Sequence, residues 1–383
     1  MKSKLKIEYC RDLGAQFRQN PHHMVGQDGA FTIPTRAGLL WFFGDTLIGA
    51  RRPGSSLWYP DGAPVGPLDM SGKAGIERMV NNTGLLSTSQ VGPEGISDFR
   101  YILDDQGEIK ALIPLEADED PDRVRVWCLH GVEIDNWIYL FFIKVVTIAE
   151  GLFPVNFRIL GSGLAIGDAE TWEFNRIVSH GSDIWWRENQ PHFAAAILNP
   201  EGEFLYLYGA LQGKDTVQRC YLARVKKCDI KRRERYEYLC TLATEEGTPP
   251  GAAAWAGGES EGSNGPVPHW SRRVGEAIPL FEGMPNELSV SWNGYLGCYL
   301  AVHSLDLTGR IVAHTAAAPW GPWSEPVDLY QVQVPHPAHL PYPQLIYAAK
   351  EHPALAQEGG RTIYITYIEF EEYFPHLVQV RFA

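Results

Sequence analysis

One pattern returns five times along the chain, and it constrains the fold more than any other feature. Each copy is a run of apolar residues rich in aromatics, at residues 39–43, 137–142, 204–208, 298–302 and 363–367. A second short apolar run precedes each one, and a polar or glycine turn joins the two, which predicts a β-hairpin. Repetition of one hairpin unit is typical of radial or stacked architectures. We therefore predict an all-β fold, a five-bladed β-propeller with long inserted loops, in which ring closure removes exposed sheet edges.

The hairpins are spread over the whole sequence, which favours a single propeller domain at residues 1–383. A hydrophobic fraction of 45%, with 38 Gly and 27 Pro, suits a β protein with many turns. We expect the last strand, residues 377–382, to pair with the chain start and close the ring. The predicted blade cores are residues 27–50, 124–170, 188–228, 286–327 and 345–383. Two segments between them are expected to be long loops, at residues 53–125 and 241–284.

Charge and composition argue against nucleic-acid and membrane partners and bear on the cellular location. A net charge of −13 argues against nucleic acid, and the basic run at residues 226–235 is interpreted as a solvated blade edge. No apolar stretch approaches the length of a membrane span. No apolar segment follows the basic residues at the start, so no signal peptide is visible, and we expect a cytoplasmic protein, or a secreted one if its beginning was trimmed. The six cysteines lack metal-ligand spacing, so no cofactor or catalytic metal is expected, although a structural central cation such as calcium is left open. The oligomeric state is also left open.

The candidate catalytic residues are carboxylates beside the predicted innermost strands. In a propeller, residues just before a blade's first strand and just after its second strand meet at one mouth of the central funnel. Asp28 and Asp45 hold these positions in blade one, and Glu188 and Glu287 precede blades three and four. Facing carboxylates are what glycosidic cleavage needs, with one protonated and one ionised. The alternative is structural, because Asp28 and Asp45 also occur in turn-like contexts.

Other side chains near the predicted mouth are candidates for substrate binding. Trp185 and Trp186 offer flat indole faces for sugar rings, although paired tryptophans are also common between packed sheets. His130 and His192 lie at blade termini and are suited to bind hydroxyl groups, with hydrogen-bonded structural histidines as the alternative. Motifs of serine hydrolases, zinc proteases and nucleotide-binding loops do not occur in the sequence.

The chain resembles a known family at residues 26–30 (GQDGA) and 40–46 (LWFFGDT), supported by 82–84, 286–293 and 321–324. These segments are similar to the family called domain of unknown function 4185, whose members have been grouped with endo-acting D-arabinanases as glycoside hydrolase family 183. More loosely, the layout is similar to the five-bladed hydrolases of family 43. This resemblance implies that Asp28 is the base and that Glu188 or Glu287 is the acid.

The carboxylate positions together with this resemblance imply a glycoside hydrolase that cleaves furanosidic, arabinan-like or related oligosaccharides or polysaccharides by a two-carboxylate mechanism. Asp45 is expected to position its neighbours or to modulate their pKa. Two alternatives stay open. One is a phosphorylase on the same fold, for which Arg51, Arg52 and Arg187 could supply an anion pocket. The other is a propeller that binds carbohydrate without cleaving it.

Overall fold

A computed structural model of the chain describes residues 5–66, 69–148, 151–243 and 266–383. The described residues form β-strands and six one-turn 3-10 helices, at 60–62, 227–229, 233–235, 274–276, 353–355 and 358–360. The prediction of an all-β protein is thereby confirmed. No helix in these ranges has the length and apolar character needed to span a bilayer.

The strands are numbered here in chain order. The first half of the chain contains β1 (Ile7–Ala15), β2 (Met24–Gln27), β3 (Phe31–Thr35), β4 (Gly38–Phe42), β5 (Thr46–Gly49), β6 (Ile76–Val80), β7 (Gly84–Ser87), β8 (Phe99–Tyr101), β9 (Val124–Ile134), β10 (Trp137–Ile148), β11 (Asn156–Gly167), β12 (Asn175–Arg176) and β13 (Trp186–Arg187). The second half contains β14 (His192–Leu198), β15 (Phe204–Gln212), β16 (Gln218–Lys226), β17 (Glu237–Ala243), β18 (Val267–Ser271), β19 (Pro279–Glu282), β20 (Ser289–Asn293), β21 (Cys298–Leu305), β22 (Arg310–Ala316), β23 (Val327–Gln331), β24 (Ile346–Glu351), β25 (Thr362–Glu369) and β26 (Pro375–Phe382).

Five larger sheets follow one another along the chain, and each contains one of the five predicted hairpins. Their strand orders are β3-β4-β7-β8, β9-β10-β11-β12, β14-β15-β16-β17-β18, β20-β21-β22-β23 and β24-β25-β26-β1. The first strands of successive sheets are in contact: β3 with β9, β9 with β14, β14 with β20, and β20 with β24. His352, the residue directly after β24, makes a 2.8 Å hydrogen bond through its Nδ1 with the hydroxyl of Thr32 in β3. The starts of all five sheets are therefore brought near one another.

The two ends of the chain share one sheet. Strand β1 pairs antiparallel with β26, with Cys10 opposite Val380. This pairing confirms the prediction that the last strand joins the chain start. It supplies the last sheet with its fourth strand and covers the edge of β26, which would otherwise offer unpaired backbone groups to other chains.

Both segments expected to be long loops contain strands. Within residues 53–125, β7 and β8 complete the first sheet, while β6 joins β2 and β5 in a separate three-stranded sheet. Within residues 241–284, β17 extends to Ala243, and β18 and β19 pair with β17 and β16. The expectation of long loops was wrong there, because these short strands form their backbone hydrogen bonds with strands that are far away in sequence. Local composition does not reveal such pairing. Residues 244–265 of the second segment lie outside the described residues.

Candidate active site

A cavity of about 590 Å³ is lined by residues that belong to the five larger sheets or to the segments that connect their strands. Asp28, Gly29 and Phe31 reach it from the start of β3, Glu287 from the segment before β20, and Tyr347 from β24. Asp45, which follows β4, also lines it. The structure thus brings three of the four predicted catalytic carboxylates to one cavity, as the strand positions indicated.

Asp28 is held in a fixed orientation by hydrogen bonds. Its Oδ1 accepts from the backbone N–H of Asp45 at 3.0 Å, and its Oδ2 accepts from the Tyr347 hydroxyl at 3.2 Å. A Cβ at residue 44 would lie 2.1 Å from Oδ1, so only glycine at that position leaves room for the carboxylate. Burial, together with the charge of Asp45, raises the pKa of Asp28 to about 7, against the opposing effect of hydrogen bonds from Tyr373 and Tyr347.

Asp45 forms a buried ion pair beside Asp28. Its Oδ2 accepts from Trp127 Nε1 at 3.0 Å, and its Oδ1 lies 3.3 Å from Arg125 Nε. The side chains of Asp45 and Arg125 are only 3% and 2% exposed, respectively. Burial raises the pKa of Asp45 to about 6, while Arg125 and Trp127 favour the ionised form. Both carboxylate oxygens face protein groups, so Asp45 is better placed to hold charge near Asp28 than to contact a substrate.

Glu287 faces the same cavity from the fourth sheet, opposite a buried lysine. Burial raises the pKa of Glu287, and the ammonium of Lys350 opposes this rise. Lys350 Nζ donates to the carbonyl oxygens of Gly29 and Ala348, each at 2.8 Å, and lies 3.7 Å from the centre of the Phe31 ring. Burial lowers the pKa of Lys350 to about 7, against the attraction of the Glu287 and Asp28 carboxylates. Lys350 therefore links the strand that follows Asp28 to β24 and places a titratable cation near both acids.

The walls around these acids are mainly aromatic. Trp58, Trp127, Phe153, Phe157, Phe370 and Tyr373 all line the cavity. Trp58 stacks on Phe370 with ring centres 4.8 Å apart, and Trp127 meets Phe157 edge to face at 4.7 Å. Flat apolar rings next to a few fixed polar groups form a surface suited to the C–H faces and hydroxyl groups of a sugar.

Glu188 is not part of this cavity. It follows β13, which pairs with the third strand of the second sheet, and its side chain is 53% exposed and paired with Arg158 at 2.9 Å. Arg187 is exposed on the same short strand. The prediction that these residues lie at the mouth was wrong, because the segment before β14 runs along the outer part of a neighbouring sheet.

The remaining predicted binding residues lie in the interior or are held by backbone groups. Trp185 and Trp186 are fully buried in the largest hydrophobic cluster, and their indole N–H groups donate to Ile177 O and to the Tyr238 hydroxyl. They pack between sheets, so they cannot stack on a substrate. Each guanidinium nitrogen of Arg51 donates to a backbone carbonyl oxygen, of Val25, Glu371 or Glu372, which favours a structural role over anion binding.

The two histidines are also absent from the cavity lining. Burial lowers the pKa of His130 and of His192 to about 4, so both are neutral near pH 7. The His130 ring accepts from the backbone N–H of Gly131 at 2.8 Å, which makes a structural role the simpler interpretation. Among the described residues, neither ring nitrogen of the buried His192 has a partner at good hydrogen-bond geometry.

Several residues of the site had not been singled out from the sequence: Arg125, Trp127, Tyr347, Lys350 and Tyr373. A signal existed for three of them. Arg125 and Trp127 alternate with apolar residues along β9, which places their side chains on one face of the strand. Lys350 is a charged residue inside the buried strand β24, and a buried charge requires a partner. No cluster of three or more potential metal-ligating side chains occurs within the ranges that the structure covers.

Comparison with solved structures concerns the fold alone. A "putative hydrolase" from Bacteroides ovatus is similar with a TM-score of 0.60 and 15% identity, covering 97% of this chain and 87% of that one. The GH43_1 enzyme from Xanthomonas citri has a TM-score of 0.44 and 15% identity, covering 97% and 89%. CoXyl43, a GH43 beta-xylosidase/alpha-arabinofuranosidase from a compost microbial metagenome, has a TM-score of 0.45 and 13% identity, covering 99% and 94%.

No curated protein matches the chain in sequence. A family model does match it. That match runs from residue 12 to residue 379, and the protein therefore belongs to the family described as "Domain of unknown function (DUF4185)".

Proposed function

We propose that this protein is a glycoside hydrolase that cleaves furanosidic, arabinan-like or related glycans. The observation that carries the proposal is the convergence of Asp28, Asp45 and Glu287 on one aromatic-walled cavity. Burial raises the pKa of each of these carboxyls, and carboxyls with raised pKa values in a cleft are characteristic of acid–base catalysis.

The two catalytic groups in this proposal are Asp28 and Glu287. Protonated Glu287 gives its proton to the glycosidic oxygen as the bond from that oxygen to the anomeric carbon breaks. Ionised Asp28 either takes a proton from the attacking water or itself attacks the anomeric carbon. The hydrogen bonds from Asp45 N–H and Tyr347 favour an ionised, oriented Asp28. No side-chain hydrogen bond from the described residues restrains the Glu287 carboxyl, which leaves it able to meet a leaving group.

Asp45 acts through Asp28 in this scheme. Its ion pair with Arg125 keeps a negative charge beside Asp28, which raises the pKa of Asp28 and makes it a stronger base once ionised. Asp45 is therefore a positioning residue rather than a group that touches the reacting atoms.

The test compares Asp28→Asn and Glu287→Gln with the wild-type protein on arabinan and arabino-oligosaccharides. Each variant should lose about 10²–10⁴-fold in kcat, because each lacks one proton-transferring group. Oligosaccharide binding, measured by calorimetry, should persist in both variants. Glu188→Gln serves as the control, because Glu188 lies outside the cavity, and its rate should equal that of the wild type.

The same experiment separates the alternatives. A carbohydrate-binding propeller without activity would bind these glycans and release no product with the wild-type protein. Phosphorolysis would require inorganic phosphate for turnover. The described residues that line the cavity include no arginine or lysine to hold that phosphate, which disfavours this alternative.

We also propose that the five sheets are the blades of one closed five-bladed propeller that forms a single domain. The contacts between successive first strands and the bond from His352 back to Thr32 support this arrangement. An experimental structure with five blades around one axis would meet the expectation, and an open arc of sheets would contradict it. A cytoplasmic location remains a prediction, which fractionation of the native cells would check.

A further inference from the structure

Strand β24 sends two side chains toward the acids because its pairing with β25 is irregular. Tyr347 lies opposite Ile368, and Lys350 lies opposite Thr366, so β24 has one extra residue in this interval. Side chains alternate between the two faces of a regular strand, and the extra residue brings Tyr347 and Lys350 to the same side. Ala348, inside this bulge, has a left-handed backbone with a φ of 57°. Such a conformation is costly for a residue other than glycine, and it persists where the surrounding structure enforces it.

The two side chains hold the segment that carries Asp28 at two points. The Tyr347 hydroxyl donates to Asp28 Oδ2 at 3.2 Å. Lys350 Nζ donates to the carbonyl oxygen of Gly29, the next residue, at 2.8 Å, and to that of Ala348 at 2.8 Å. These bonds join the bulge of β24 to the backbone beside Asp28, and they fix the place of the ammonium group relative to that carboxyl.

Lys350 lies behind the two proposed catalytic acids. It is not among the residues that line the cavity, and it is only 2% exposed, whereas Asp28 and Glu287 are both partly exposed. Within the described ranges, Nζ has no carboxylate at ion-pair distance, and the carboxyls that attract its charge are those of Glu287 and Asp28. Lys350 therefore acts on a bound substrate only through these two acids.

The surroundings of Nζ favour the charged ammonium over the neutral amine. Two carbonyl oxygens accept hydrogen bonds from it, and it lies 3.7 Å from the centre of the Phe31 ring. Both kinds of neighbour attract positive charge. Phe31 stacks on Phe42 with ring centres 5.5 Å apart, which holds its ring in place. Burial opposes the charge and lowers the pKa of Lys350 to about 7, so the ammonium needs a negative charge nearby.

Charge balance then determines how many protons the two acids carry. Asp45 already has a countercharge in Arg125, 3.3 Å away. One ammonium and two carboxyls remain, and this group is neutral when one carboxyl is ionised and the other keeps its proton. An uncompensated buried charge is costly, so two ionised or two protonated carboxyls beside the ammonium are disfavoured. Hydrogen bonds from the Tyr347 hydroxyl and from Asp45 N–H select Asp28 as the ionised group.

We propose that Lys350 is a positioning residue whose buried ammonium leaves one proton on the Asp28–Glu287 pair, so that Asp28 is ionised while Glu287 stays protonated. This is the distribution that a reaction with one acid and one base or nucleophile requires at its start. The proposal rests on the proposed function and deepens it, because it names the group that prepares both acids.

The first test compares the pH dependence of kcat/KM on arabino-oligosaccharides between the wild type and Lys350→Met, which has a similar length and no charge. Without the ammonium both carboxyls hold their protons more tightly. Both limbs of the profile should therefore move to higher pH by at least about one unit, and the rate at the wild-type optimum should fall about tenfold. Lys350→Arg keeps the charge, and its limbs should stay at the wild-type positions whatever its rate.

Lys226→Met is the matched control for this profile. It removes the same charge from a surface pair with Glu203, at 3.0 Å and outside the cavity, so both of its limbs should coincide with those of the wild type. A fall in the rate of Lys350→Met at every pH, with both limbs in place, would mean that Lys350 only supports the backbone. That result would overturn the proposal.

The second test counts protons and needs no turnover. Infrared difference spectra at pH 7 between the wild type and its Asp28→Asn, Glu287→Gln double variant isolate the absorption of these two carboxyls. The wild type should show one protonated and one ionised carboxyl, and the same comparison in the Lys350→Met background should show two protonated ones. Two protonated carboxyls in the wild type, a result that needs no Lys350 variant, would overturn the proposal. Equal counts in the two backgrounds would overturn it as well.

The proton count also separates this proposal from the proposed function. If the wild type hydrolyses no glycan but the spectra show one proton on the pair and two after Lys350→Met, the hydrolase function fails and the role of Lys350 stands. If the wild type hydrolyses arabino-oligosaccharides while both carboxyls are protonated, the role of Lys350 fails and the hydrolase function stands.

Discussion

Two acidic residues that the sequence predicted at the mouth of the funnel, Asp45 and Glu188, each pair with an arginine, yet their surroundings differ completely. The distance from Glu188 to Arg158 is 2.9 Å, but both side chains are more than half exposed. The distance from Asp45 to Arg125 is longer, 3.3 Å, but both side chains are almost completely buried. Water screens the first pair and is excluded from the second, so the longer contact has the stronger electrostatic effect. Burial, more than proximity, distinguishes the candidate site from an ordinary surface ion pair.

The largest expected effect comes from removing the arginine of each pair. Arg125→Met should lower the free energy of unfolding at pH 8 by about 3–5 kcal/mol, because Asp45 would remain buried without its countercharge. Arg158→Met should lower it by less than about 1 kcal/mol, because Glu188 is already solvated. Urea denaturation of both variants at pH 8 measures the difference. Equal decreases in the free energy of unfolding for the two variants would show that burial does not make the Asp45–Arg125 pair more important for stability than the Glu188–Arg158 pair.

An intermediate effect concerns Asp28, the acid that the Asp45 pair supports. Its pKa of about 7 in the folded protein lies above the ordinary value of 3.8, so its contribution to stability is fully present below about pH 4 and is lost as the pH rises through 7. At pH 8 the folded protein has to keep the Asp28 carboxylate ionised and buried, which costs free energy. Asp28→Asn removes that cost and should raise the free energy of unfolding by about 1–2 kcal/mol at pH 8, with no gain at pH 4.

Glu188→Gln is the comparison for this pH dependence. Because the Glu188 side chain is solvated, its replacement should change stability by less than about 0.5 kcal/mol at both pH values. A gain for Asp28→Asn that is the same at pH 4 and pH 8 would contradict the assignment of a buried, titrating carboxyl.

The comparison also explains what could be predicted from the sequence. The five hairpins were predictable because apolar alternation and turn residues are local signals. The convergence of Asp28, Asp45 and Glu287 followed from their positions relative to those strands. Glu188 was misplaced because the sequence does not show that the preceding strand, β13, pairs with another sheet. The burial of Trp185 and Trp186 and the pairing of Arg125 with Asp45 depend on contacts between distant segments, which single-sequence patterns do not contain.

The smallest expected effect tests whether Asp45 acts through Asp28. The charge of Asp45 raises the pKa of Asp28, so Asp45→Asn should lower that pKa. If ionised Asp28 is required, the acid limb of the kcat/KM profile on arabino-oligosaccharides should then move to lower pH, while the alkaline limb keeps its position. In this variant Arg125 keeps its ion pair with Asp69 at 3.7 Å but no longer faces the Asp45 charge, and its positive charge also lowers the pKa of Asp28. Glu188→Gln removes an equal charge outside the cavity and should leave both limbs unchanged. A loss of rate in Asp45→Asn at every pH, with both limbs in place, would instead mean that Asp45 serves only to hold the backbone and Trp127 in position.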